Sequence, residues 1–132
     1  MAKLLIVEDD ESVRTLAARA LERAGHSVDI ACDGAEGLES ICAAKGFYDL
    51  VVSDIRMPEM DGIEMAQAAA RAYPGLPILL MTGYADQRER AEELDAIIID
   101  VVQKPFTLAD IRDRVSLALV RTQSVAALAG AA

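Results

Sequence analysis

Five times along this chain a short apolar run gives way to a stretch with helical spacing, and that alternation limits the folds open to it. The apolar runs are Lys3 to Val7, Ser27 to Cys32, Leu50 to Val52 leading into Ser53 and Asp54, Ile78 to Met81 ending at Thr82, and a fifth within Ile98 to Gln103. Between them lie amphipathic stripes. Val13, Leu16, Ala17, Ala20, Leu21 and Ala24 mark one helix that stops at Gly25, and Leu38, Ile41 and Cys42 mark a second that ends at Gly46. Ile63, Ala66, Ala70 and Tyr73 carry a third, closed by Pro74 and Gly75, and a short polar helix is expected around Gln87 to Leu94. Thr107 and Asp110 have the spacing of a capping box, opening a last helix with Leu108, Ile111, Val115 and Leu119 on one face. Apolar strands alternating with amphipathic helices predict an α/β fold. Its five-stranded parallel sheet is doubly wound, in three layers with helices on both faces.

With 132 residues, 53% hydrophobic and 27% charged, the chain has the size and balance of one globular domain. Residues 1–121 are expected to form it. The rest, 122–132, is expected to be a short Ala-rich tail with no effector domain. A formal charge of −9 speaks against DNA binding and against an anionic membrane surface, both of which favour basic patches. No apolar run approaches the ~20 residues that span a bilayer. Cys32 and Cys42 lack metal-ligand spacing and lie in segments that read as buried. With no signal peptide in view, reduced thiols and a cytoplasmic location are expected.

Ligands of open parallel sheets gather outside the carboxyl ends of the strands. Four such ends carry reactive residue types: Glu8 and Asp9, then Asp54, Thr82 and Lys104. Carboxylates crowded together repel unless a cation joins them, and hard oxygen donors with open positions suit Mg²⁺. One carboxylate can then act as nucleophile toward a phosphoryl group, whose developing charge Thr82 and Lys104 can help to stabilise. Taken singly, each residue has a plainer role: Glu8, Asp9 and Asp10 as helix caps, Thr82-Gly83 as a turn, Lys104 as a solvated charge.

Taken together, over residues 3 to 121, the chain resembles the receiver domains of two-component response regulators. The resemblance rests on Glu8-Asp9, Ser53-Asp54, the loop Met57-Pro58-Glu59-Met60-Asp61-Gly62, Thr82, and Lys104-Pro105-Phe106. It implies a flavodoxin-like (βα)5 fold with Asp54 as phosphoacceptor. It also implies Mg²⁺ held by Asp9, Asp54, the backbone carbonyl of Arg56 and, through water, Glu8. Lys104 would contact the phosphoryl group, Thr82 would move toward it, and the Lys104-Pro105 bond would be cis. The implied phosphodonor is a sensor histidine kinase or histidine phosphotransferase. Like other receivers, the chain would be no enzyme beyond its own phosphorylation and dephosphorylation.

One departure concerns signalling. Many receivers carry an aromatic residue three positions before the lysine, where this chain has Val101, so transmission is expected through the backbone around Thr82 to Tyr84. Without an effector domain, the chain is expected to signal by phosphorylation-dependent binding of another protein. The segments Ile55-Arg56-Met57-Pro58 and Met81-Thr82-Gly83-Tyr84 resemble single-domain receivers of cell-cycle and proteolysis circuits. The alternatives are a phosphate sink that drains a kinase, or a degenerate receiver that binds constitutively. Two rivals of other classes fit less well. An aspartate-nucleophile hydrolase wants a carboxylate where Arg56 stands, and a flavodoxin-type cofactor binder wants a phosphate loop where Glu8-Asp9-Asp10 stand. The Ala131-Ala132 end reads as a frayed extension, with a looser resemblance to tails that bacterial unfoldase-proteases recognise.

Overall fold

The computed structural model describes residues 2–83, 98–103 and 106–131, with side chains as far as Thr122. Tyr84, the helix expected around Gln87 to Leu94, Lys104 and Pro105 lie outside the described residues. The elements run β1 (Lys3–Val7), α1 (Glu11–Arg23), β2 (Ser27–Ala31), α2 (Gly34–Ala43), β3 (Leu50–Asp54), α3 (Gly62–Ala72), β4 (Ile78–Thr82), β5 (Asp100–Gln103) and α4 (Leu108–Ala131). All five strands are parallel, in the order β2-β1-β3-β4-β5. The chain therefore winds one way from β1 to β2, then reverses and builds outward from β3. This is the flavodoxin-like receiver arrangement, and it leaves a crevice between β1 and β3 at their carboxyl ends.

Successive strand residues point to opposite faces, so each strand feeds two cores. Leu5, Val7, Val51, Leu80 and Val101 pack with Ile41 of α2 and with Ile63, Met65, Ala66 and Ala69 of α3. Leu4, Ile6, Val52, Leu79 and Val102 face the other way, against Ala17, Ala18 and Leu21 of α1 and Ile111, Val115 and Leu119 of α4. The apolar runs are thus continuous because both of their faces are covered.

Each described helix opens on an oxygen-bearing side chain that accepts from its first amides. Asp10 receives the Ser12 and Val13 amides, Asp33 that of Glu36, and Asp61 that of Glu64, while the Glu64 carboxylate returns to the Asp61 amide. The expected Thr107–Asp110 box is present, with both of its hydrogen bonds at 3.0 Å.

Two expectations about packing are corrected. Leu16 and Leu108 are exposed, because α1 turns Ala17, Ala18 and Leu21 inward; the two leucines border a surface groove between α1 and α4. Cys42 and Cys32 are both exposed rather than buried. The inner face of α2 is Gly34, Gly37 and Ile41, and Cys42 falls one residue beyond it. Cys32 follows β2, the edge strand, where only Ala31 is buried. Helix α4 continues beyond the Leu119 end of its expected stripe to Ala131.

Candidate functional site

The site is built from strand ends. β1 delivers Glu8 and Asp9 just before α1 begins. Glu8 is buried, its amide donates to the Ala31 carbonyl at 3.1 Å, and its Oε1 accepts from the Asp10 amide at 3.2 Å. Arg14, one turn into α1, donates from Nη1 to the Glu8 carbonyl at 2.9 Å and ties the helix to the strand end. Asp9 is exposed beside it.

β3 delivers Asp54, paired with Met81 of β4 in the parallel register. Asp54 is only 7% exposed. The Ile55 amide donates to Asp54 Oδ1 at 2.9 Å and also reaches the Met81 carbonyl at 3.1 Å, which fixes the rotation of the carboxylate relative to the sheet. Ser53 turns its hydroxyl back to the Asp54 carbonyl at 2.8 Å. Thr82, fully buried, closes β4 opposite Gln103 of β5. Arg56 is exposed and begins the loop that leads to α3.

Of the residues singled out from the sequence, Glu8, Asp9 and Asp54 come together: one carboxylate oxygen of each lies within 4.8 Å of the other two. Two are buried and one is exposed, so the group opens to solvent on one side. Around Mg²⁺, with metal–oxygen distances near 2.1 Å, opposite ligands stand about 4.2 Å apart. Adjacent ligands stand only about 3.0 Å apart, so the three donors, no two more than 4.8 Å apart, would share one octahedral ion by drawing together or by one of them reaching it through water. The donor set is all oxygen and all anionic, which fits a hard dication.

One contributor has no signal in the sequence, and a second has a signal that the sequence reading did not use. The clamp of the Ile55 amide on Asp54 belongs to the backbone and leaves no side-chain signature. The reciprocal Asp61–Glu64 box, by contrast, was visible as an acid followed three residues later by a glutamate; it fixes where the loop after β3 must end.

A family model for the response regulator receiver domain matches residues 4–116. The chain belongs to that family. Among curated proteins it is similar to response regulator MprA of Mycobacterium leprae, 37% identical over 121 residues, covering 92% of this chain and 52% of that protein. MprA of Mycobacterium sp. strain KMS is 38% identical, with 91% and 51% covered. The chain thus spans about half the length of these relatives. Among solved structures it resembles the CheY-like receiver domain protein of Methanospirillum hungatei, at TM-score 0.83 and 29% identity, covering 94% of this receiver and 98% of that one. It also resembles TrrA of Thermotoga maritima, solved in complex with Mg²⁺-BeF, at TM-score 0.79 and 29% identity, with 89% and 99% covered. For this receiver, then, fold and family stand together. Among its described residues no helix is long and apolar enough to cross a membrane.

Proposed function

We propose that this receiver is a phosphorylation switch that takes a phosphoryl group onto Asp54, with Mg²⁺ held by Glu8, Asp9, Asp54 and the Arg56 carbonyl. The observation that carries the proposal is the meeting of three carboxylates, from β1 and β3, beside Thr82 at the same edge of the sheet. The Mg²⁺-BeF complex of the similar receiver TrrA supports the choice of metal. When bound, the ion neutralises the carboxylates and the phosphoryl oxygens, so that an anion can approach an anion.

In the step itself a carboxylate oxygen of Asp54 forms the new O–P bond while the P–N bond of a phosphohistidine donor breaks. The electron pair of that bond goes to the imidazole nitrogen. Ile55 holds the nucleophile in place by its amide, and the Thr82 hydroxyl, with the Lys104 ammonium, receives charge from the equatorial oxygens. The chain catalyses only this transfer and the later hydrolysis. Its phosphodonor is a histidine kinase or histidine phosphotransferase, and its output is phosphorylation-dependent contact with another protein.

Incubation with acetyl phosphate and Mg²⁺, read by intact-mass spectrometry, should add one phosphoryl group to the parent and none to Asp54→Asn. Equal labelling of the two would remove Asp54 as acceptor.

A further inference from the structure

The loop from Arg56 to Asp61 carries a backbone carbonyl assigned to the metal, yet it has no strand or helix of its own to hold it in place. Its support comes from outside. At the far end, Met60 is gripped by α2: the Gly34 amide donates to the Met60 carbonyl at 3.2 Å. The first amides of a helix have no partner within it, so Gly34 can spend its own on a neighbouring loop. The approach is backbone against backbone. A Cβ at Gly34 would collide with the Met60 carbonyl oxygen and stand 2.8 Å from its carbon, so any other residue must push the loop aside.

Two further contacts show that the loop has little slack. The Gly62 amide donates to the Ile55 carbonyl at 2.8 Å, and a Cβ at Gly62 would collide with the Asp54 carbonyl oxygen. Glu59 is held at φ 67°, a left-handed conformation costly for a side chain with a Cβ, and such strain persists only where the surroundings impose it. A push on Met60 therefore cannot dissipate toward α3, where the Asp61–Glu64 box fixes the exit. It is transmitted back along the loop toward Arg56.

We propose that Gly34 is a positioning residue for the metal site: by letting α2 close on Met60, it sets the place of the Arg56 carbonyl that completes the Mg²⁺ ligands. It touches neither the metal nor the phosphoryl group. The inference rests on the metal assignment made above, and it connects α2, which contributes no ligand, to the affinity of a site built on β1 and β3.

The test is calorimetric titration of Mg²⁺ into the unphosphorylated parent, Gly34→Ala, Gly46→Ala and Asp9→Asn, with thermal unfolding of each. Gly46 serves as the control for lost stability alone: it sits at φ +74°, and a Cβ there would meet the Tyr73 ring, away from the carboxylates. Gly34→Ala is expected to bind Mg²⁺ about tenfold more weakly, in the range seen when groups that orient metal ligands are disturbed. Gly46→Ala should unfold at lower temperature with unchanged affinity, and Asp9→Asn should mark near-complete loss. Unchanged affinity in Gly34→Ala, with a parent that binds and an Asp9→Asn that does not, overturns the positioning role alone. Equal weakening in both glycine variants also overturns it, since the effect then follows stability. A parent that binds no Mg²⁺, or an Asp9→Asn that binds as the parent does, overturns the metal assignment and the positioning role with it. If Gly34→Ala does not fold, Gly34→Ala with Glu59→Gly, which relaxes the left-handed residue, is titrated in its place against the same two outcomes.

Discussion

The centre of the sheet and its β2 edge are made of similar apolar letters and behave differently. In β3 and β4 every residue is buried; in β2 only the last is, and Ile30 is 52% exposed. The centre has a strand on each side and helices above and below, so its positions are determined from four directions. β2 has one neighbouring strand, and beside it the chain substitutes polar bonding for packing: Tyr48 donates its hydroxyl to Asp29 at 2.8 Å, and the Lys3 ammonium lies 5.3 Å from the Tyr48 ring centre. Asp54 and Thr82 hang from the rigid centre, where carboxylate and hydroxyl can be placed to fractions of an ångström. The edge has no such task and tolerates exposure.

That contrast predicts unequal costs. Leu80→Ala, in the middle of β4, should lower unfolding free energy by about 2–5 kcal/mol, the usual range for a large residue removed from a packed core. Urea denaturation measures it, and a loss below 1 kcal/mol would mean that the centre can collapse as readily as the edge.

A smaller effect is expected at Tyr48, and it is confined to alkaline pH. Burial, then the hydrogen bond to Asp29, pushes its phenol up from 10.0 to about 12. The folded chain thus keeps a proton that the unfolded chain releases first. The resulting stability is whole below pH 10 and is lost as pH rises through about 12. Across that window the parent should lose stability more steeply than Tyr48→Phe; parallel pH profiles would show that the edge hydrogen bond has no such role. Smallest of all, Ile30→Ala should change stability by no more than about 0.5 kcal/mol, as surface substitutions do. A loss equal to that of Leu80→Ala would erase the distinction between centre and edge.

The same contrast explains what the sequence disclosed. Strands buried on both faces write themselves as unbroken apolar runs, so β1, β3 and β4 were legible, and with them the meeting of Glu8, Asp9 and Asp54 at their ends. The Thr107–Asp110 box was legible because capping is local. Helix rotation was not. A stripe such as Val13, Leu16, Ala17, Ala20, Leu21 is consistent with several rotations, and the sheet selects the one that buries small alanines and leaves Leu16 outside. The closeness of Gly34 to Met60 was hidden for a different reason: it depends on two segments meeting through their backbones, which no periodicity records.

The reversal of strand order also has an entropic side. Glu8 and Asp9 follow β1 while Asp54 ends β3, and the two strands pair directly, with the Lys3 amide bonded to Asp49, 46 residues further on. The stretch from β1 through β2 carries two of the three carboxylates and lacks Asp54. The third comes only with closure of a longer segment, and a doubling of loop length adds about 0.6 kcal/mol of closure entropy over the local pairing. A copy in which β3 has not docked therefore lacks the meeting of Glu8, Asp9 and Asp54, so the candidate metal site exists only in chains whose middle strand is in place.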